Sequence, residues 1–304
     1  MKIFLTGATG YIGSVIAEKL LQAGHEVVGL ARSDSSAEKL KRQGIEPHRG
    51  DLRDPRALTE AAQAADGVIQ NAFDFAADFA TAGASEANAV FTFIEALRGS
   101  GKPLVFTSGT GGLGDTGKTI YDEETPVPPS DSPTIKALQV RFDTEKTVID
   151  AADVRGVVLR PPNVYGRSGG RAVLSMIRAA SRKLGAVPYA VDAADNLWTL
   201  VHVDDLADLF VLAVAKAPSG ELFHVGARSG LRTQDLAVAM SHGLGLGGRT
   251  VALERAELAE ALGAEPLADY WSTNSQISGE KARRVLGWHP RHLDVLGELA
   301  GPSD

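Results

Sequence analysis

At 304 residues and 44 % hydrophobic content, the chain is long enough to bury a full core, as one large domain or one and a half. A formal net charge of −7 argues against a nucleic-acid or anionic-membrane surface, since both reward clustered Lys and Arg, and leaves small molecules as the expected partners. Without cysteine there is neither a disulfide framework nor a thiolate nucleophile, and no apolar run approaches membrane-spanning length, so a cytoplasmic protein is expected.

The start, Met1 to Leu5, is too short for a signal sequence and is expected to form the first strand. It runs into Thr6-Gly7-Ala8-Thr9-Gly10-Tyr11-Ile12-Gly13, a strand, a glycine turn and the opening of a helix. Gly7 suits the tight turn, Gly10 lets the main chain approach a pyrophosphate, and Gly13 lets the helix pack on the strand. Ile12, Val15, Ile16 and Leu20 recur at helical spacing, Gly24 stops the helix, and Glu26 to Ala31 restarts an apolar strand. The Thr-Gly-x-x-Gly-x-x-Gly spacing resembles the short-chain dehydrogenase/reductase superfamily, and Gly10-Tyr11-Ile12-Gly13 resembles its extended, NAD(P)-dependent epimerase/dehydratase-like branch. The resemblance implies a dinucleotide held by Gly7, Thr9, Gly10, Tyr11, Ile12 and Gly13.

Where an NAD-preferring site usually places an acid at the end of the second strand, this chain has Ala31 followed by Arg32. Arg32 suits a 2′-phosphate, with Ser33 and Ser35 as hydroxyl donors, so NADP(H) is expected over NAD(H); the alternative is a solvated loop arginine. A helix is expected near Ser36 to Gln43, then a strand before Gly50-Asp51-Leu52-Arg53-Asp54. In the family this run borders the adenine, with Asp51 accepting from the ring amine and Leu52 covering its face; alternatively Asp51 caps the helix starting near Pro55. Gly67 to Ala72 is the next βα strand, and small Ala72 resembles the close-approach position beside the cofactor. The loop from Phe73 to Ala84 stays unassigned, its Phe75 and Phe79 at helical spacing.

Leu104 to Ser108 is a buried strand ending in Gly109-Thr110-Gly111-Gly112, where the family keeps its catalytic Ser or Thr. Ser108 and Thr110 are the candidates, with Gly109 the alternative occupant of that position. Ser132-Pro133 starts a long helix. Val157 to Arg160 then leads into Pro161-Pro162-Asn163-Val164-Tyr165-Gly166, a run that in the extended branch lies along the nicotinamide and that implies Pro161, Asn163 and Val164 as cofactor contacts. Leu200 to Ala207 and Ser278 to Pro290 resemble the branch's return to the main sheet and its C-terminal signature, and Asp204 is as well read as a helix cap.

The superfamily's tyrosine and lysine, four apart on one helix, are missing. Anchoring on Glu145 puts Ala137 in the tyrosine position and Arg141 in the lysine position, and no tyrosine lies between Tyr121 and Tyr165. Arg141 is expected to hold the nicotinamide ribose; the alternative pairs it with Glu145 one turn on. Tyr165 is the first choice for a replacement acid, ahead of Tyr121 and His202. The seven histidines show no ligand spacing, so no metal is expected, and a phosphate loop and a serine-hydrolase elbow are also missing.

The expected fold is an α/β doubly wound parallel (Rossmann) sheet over residues 1–165 that takes back 195–225, with a smaller substrate part from 166–194 and 226–304. The expected function is an NADP(H)-binding oxidoreductase acting on a small organic carbonyl or alcohol through altered acid–base groups, with a homodimer left open. Two other readings stay open: a catalytically silent dinucleotide sensor, and a nucleotide-sugar epimerase or dehydratase. Against the last, the family's phosphate-gripping arginine falls on Trp198.

Overall fold

A computed structural model describes residues 1–74, 77–167 and 173–301. The main sheet takes β1 (Lys2–Leu5), β2 (Glu26–Ala31), β3 (Glu46–Arg49), β4 (Gly67–Gln70), β5 (Pro103–Thr107) and β6 (Arg155–Arg160). Between them run α1 (Tyr11–Gln22), α2 (Asp34–Arg42), α3 (Pro55–Ala64), α4 (Phe79–Leu97) and α5 (Pro133–Ile149). There follow β7 (Asn163–Tyr165), α6 (Val173–Leu184), β8 (Val187–Ala190), β9 (Leu197–His202), α7 (Val203–Lys216) and β10 (Glu221–His224). The chain closes with β11 (Arg228–Arg232), α8 (Thr233–Gly243), β12 (Thr250–Leu253), α9 (Arg255–Leu262), α10 (Glu265–Trp271), α11 (Glu280–Leu286) and α12 (Val295–Ala300).

Seven parallel strands pair in the order β10-β6-β5-β4-β1-β2-β3. The order reverses between β1 and β4, and a crevice opens beyond the carboxyl ends of the strands on either side of such a point. Strand alternation divides the core: Ile3 and Leu5 face α1 and α7, while Phe4 faces α3 and α4 with Phe93 and Phe106. A third cluster, built around Trp198, Trp271, Leu200 and Met240, is the core of the smaller part. β9 pairs there, with β7 and β11, so the return to the main sheet begins with α7. The C-terminal signature locks that return: Trp288 Nε1 donates to the Asp205 carbonyl at 2.8 Å, and the Asp205 carboxylate accepts the amides of Arg291 and His292. No described helix is long and apolar enough to cross a membrane.

Local capping explains most helix starts. Ser33 begins α2 through a reciprocal capping box with Ser36, and Asp54, not Asp51, caps α3 ahead of Pro55. In α1 the decisive residue is Gly13, where a Cβ would stand 2.1 Å from the Gly7 carbonyl oxygen, backbone that cannot yield. Gly13→Ala is expected to cost at least ~1–3 kcal/mol, the range of overpacked cores. Gly10→Ala, whose nearest clash is 3.2 Å, should cost far less. Urea midpoints of the two variants check this ordering, and equal midpoints would refute the close helix–strand contact.

Candidate active site

Gly7 turns the chain at φ +71°, and a Cβ there would meet the Ala72 backbone at 3.2 Å, so the ends of β1 and β4 touch through main chain alone. Beneath them the Thr6 hydroxyl accepts the amides of Asn71 and Ala72, each at 3.0 Å, and donates to Gln70, whose amide donates to the Ala72 carbonyl. Gly10 opens α1 without a side-chain cap. Among the described residues the amides of Tyr11, Ile12 and Gly13 have no partner, which leaves the positive end of the helix dipole free for an anion. The Thr9 carbonyl holds Lys39 Nζ at 2.7 Å, and the Tyr11 hydroxyl donates to the Gly166 carbonyl at 2.7 Å.

At the end of β2 the Arg32 side chain is exposed and makes no ion pair or hydrogen bond among the described residues. Ser33 Oγ accepts the Ser36 amide and lies 2.9 Å from Ser35 Oγ. Asp51 accepts from the amide and Nε of Arg53, which holds its carboxyl below the usual carboxylate range. Leu52 is half-buried beside it. Phe75 lies outside the described residues.

The end of β5 carries three buried hydroxyls: Thr107, Ser108 and Thr110 are 8 %, 5 % and 3 % exposed. Those of Thr107 and Ser108 find no partner among the described residues, and Thr110 Oγ1 faces the Tyr270 hydroxyl without a well-aligned hydrogen bond. A buried hydroxyl left alone costs about 1–3 kcal/mol, so such a row marks a place where a ligand oxygen would be stabilising. Gly109 leaves open space, with Arg141 Nη1 at 3.5 Å as the nearest atom to a Cβ.

Arg141 is not paired with Glu145 one turn on. Its Nε and Nη2 each donate to the Glu86 carboxylate at 2.7 Å, and Nη2 also donates to the Thr107 carbonyl at 2.6 Å. The guanidinium lies over Phe73 and Phe106, centroids 4.9 and 5.5 Å away. Only Nη1 stays without a hydrogen bond among the described residues, on the Gly109 side. Glu145 is instead the bidentate partner of Arg160. Ala137, half-buried one turn before Arg141, offers a methyl and no proton.

Of the replacement acids suggested by the sequence, Tyr165 and His202 have their polar atoms engaged elsewhere. Tyr165, 4 % exposed, donates to the His292 carbonyl at 3.1 Å, its ring edge-on to His202, inside the smaller part's core; burial pushes its pKa up. Tyr121 pairs through its backbone with Gln276 and Ser278. His202 caps α7 by accepting the Asp204 amide at Nδ1, so Asp204 is not the cap; its carboxylate takes Arg167 and Lys19. His202 also stacks on His292 at 3.8 Å, and with Glu298 the two imidazoles form a group whose ligand atoms lie within 4.8 Å. Metal chemistry fits this group badly. Rings inclined by only 16° cannot both aim a lone pair at one ion, and His202 Nε2 carries the proton once Nδ1 accepts.

Along β7, Val164 is buried, the Pro161 carbonyl accepts the Thr110 amide at 3.3 Å, and Asn163 Nδ2 donates to the Tyr270 hydroxyl at 3.0 Å. Tyr270, on α10, escaped the sequence reading because it lies in the stretch that least resembles the family and no spacing links it to Asn163. Trp198 is fully buried on β9, T-shaped to Tyr270 and Trp271 at 5.3 and 4.8 Å.

A model of the NAD dependent epimerase/dehydratase family matches residues 3–226. An uncharacterized protein of Schizosaccharomyces pombe is 34 % identical, the match covering 100 % of this chain and 99 % of that one. A UDP-glucose 4-epimerase of Streptomyces lividans is 27 % identical over 97 % of this chain and 93 % of its own. The fold is that of the UDP-glucose 4-epimerase of Thermotoga maritima solved with UDP-glucose, at 22 % identity and a TM-score of 0.76 over 100 % of this chain and 97 % of that one. With its glycine turn, its parallel sheet and a family match over most of its length, the chain belongs to the NAD dependent epimerase/dehydratase family.

Proposed function

We propose that the chain is an NADP(H)-binding oxidoreductase acting on a small organic carbonyl or alcohol, with the smaller part supplying the substrate side of the cleft. The observation that carries the reading is the pair of orphaned hydroxyls on Thr107 and Ser108, buried at the carboxyl end of β5, the same end of the sheet at which the glycine turn follows β1. A substrate oxygen would satisfy them. The free amides of Tyr11, Ile12 and Gly13 fit a pyrophosphate, with Gly7, Thr9 and Gly10 allowing its approach. Asp51 and Leu52 fit the adenine edge and face, Ala72 the closest main-chain approach, and Pro161, Asn163 and Val164 the nicotinamide side. When bound, the cofactor would supply or accept hydride. Ser108 and Thr110 orient the substrate oxygen, and Arg141 offers Nη1 alone to the ribose. A sugar-nucleotide diphosphate finds an indole at Trp198, buried and uncharged, where the family's arginine would stand.

The cofactor preference rests on Arg32, a free cation where an acid would repel a 2′-phosphate. NADPH is expected to bind roughly 10- to 150-fold more tightly than NADH, the equivalent of one charged hydrogen bond of ~1.5–3 kcal/mol. Fluorescence titration of both cofactors against the wild type and Arg32→Ala checks it. Equal affinities, or an alanine variant as selective as the wild type, would remove the assignment.

A further inference from the structure

We propose that Tyr270, carried by α10 of the smaller part, is the proton donor of this site and takes the place of the tyrosine that α5 lacks. The inference rests on the oxidoreductase reading above and adds the residue that completes it. Of the chain's five tyrosines, Tyr11 and Tyr165 spend their hydroxyl protons on the carbonyls of Gly166 and His292. Tyr270 differs. Asn163 Nδ2 can only donate, so at 3.0 Å the Tyr270 oxygen is the acceptor and its own proton remains to be given. The hydroxyls of Ser275 and Thr110 lie beside it, and Thr110 belongs to the same turn as the orphaned Ser108. Trp198 braces the ring from one side at 5.3 Å.

The hydroxyl thus comes from α10 of the smaller part and not from α5. The phenol would protonate the substrate oxygen as the carbonyl carbon takes up hydride from reduced nicotinamide dinucleotide. The O–H bond of Tyr270 breaks, an O–H bond forms on the product alcohol, and the phenolate left behind keeps the Asn163 amide hydrogen bond until solvent returns a proton past Ser275 and Thr110. Asn163 thus does with a neutral donor what a lysine does for the family's usual tyrosine. Burial pushes the Tyr270 pKa up while Ser275, Thr110 and Asn163 pull it down, and at neutral pH the group stands as a phenol with its proton in place.

The test uses protein labelled with [ζ-13C]tyrosine, whose five resonances are assigned at Tyr270 by the Tyr270→Phe variant. With NADP⁺ at saturation, isobutyramide is added as an unreactive carbonyl probe. The Tyr270 resonance is expected to move more than the other four, and Tyr270→Phe to weaken amide binding about tenfold while NADPH affinity stays within about twofold, the loss of one charge-neutral hydrogen bond. With NADPH and a panel of aldehydes and ketones, the variant should lose on the order of 10²- to 10⁴-fold in rate. A Tyr270 resonance that stays still while another tyrosine's moves, or a variant that reduces the panel at the wild-type rate, overturns the donor role and leaves the oxidoreductase reading standing. A wild type that binds no NADPH overturns both. Should Tyr270→Phe fail to fold, assignment passes to single Tyr→Phe variants at the other four positions and the wild-type shift decides.

Discussion

Arg141→Ala is expected to destabilise the protein by about 3–5 kcal/mol, because it strands the Glu86 carboxylate, 2 % exposed, without its bidentate partner. Burial already pushes the Glu86 pKa up against the pull of Arg141, so removing Arg141 drives the abandoned carboxyl further toward its protonated form. The same truncation empties the space over Phe73 and Phe106 and frees the Thr107 carbonyl. A double variant, Arg141→Met with Glu86→Leu, removes both charges together and is expected to be near neutral, since an apolar pair of similar volume carries no desolvation cost. Urea unfolding separates the two. That comparison also isolates the cofactor question: NADPH affinity measured in the folded double variant reports what Arg141 contributes to the ribose, uncontaminated by instability. If Arg141→Ala unfolds at the wild-type urea concentration, the Glu86 pair is not the anchor of this corner.

What could be read from the sequence was local. The glycine turn is legible because each requirement lies within seven residues: positive φ at Gly7, an uncapped helix start at Gly10, no room for a Cβ at Gly13. The place of Arg32, exposed directly after β2, is legible for the same reason. The cap of α3 could have been placed correctly, because the residue directly before a proline at the first helical position is the natural N-cap, which selects Asp54 over Asp51. Arg141 shows the opposite case. Helical spacing offers Glu145 as its partner, yet Glu86, 55 residues earlier on α4, reaches it first and with both oxygens. Tyr165 likewise follows from nothing local: β7 leaves the main sheet to pair with β9, Tyr165 opposite His202, and that pairing turns its hydroxyl into the smaller part's core. Tyr270 required the approach of α10 to β7, a contact between residues 107 positions apart.

Acid sensitivity should be concentrated in one imidazole. His224 is fully buried, and its hydrogen bonds fix the tautomer: Nδ1–H donates to the Tyr121 carbonyl at 3.2 Å, and Nε2 accepts from Arg160 Nη1 at 3.2 Å. A second proton would have to sit on Nε2, against a guanidinium that Glu145 holds in place from the far side. Burial first, and Arg160 next, lower the His224 pKa to about 3, against an ordinary value of 6.5; the backbone interaction with Tyr121 and the nearby Asp122 work weakly in the other direction, and Lys281 adds to the lowering. The sign follows from proton counting. Between pH 6.5 and about 3 the unfolded chain binds a proton at His224 that the folded chain refuses, so stability is full above pH 6.5 and falls as the pH drops through that window. The slope approaches about 1.4 kcal/mol per pH unit from this residue alone. His224→Gln keeps a donor for Tyr121 and an acceptor for Arg160 without a titrating group. Its urea midpoint at pH 7 should fall near that of the wild type, and the gap should open in the variant's favour as both are taken to pH 5.5 and then 4.5. Two curves that fall in parallel would assign the acid sensitivity to carboxylates, and would mean that the buried network of Glu145, Arg160 and His224 accepts a proton without breaking.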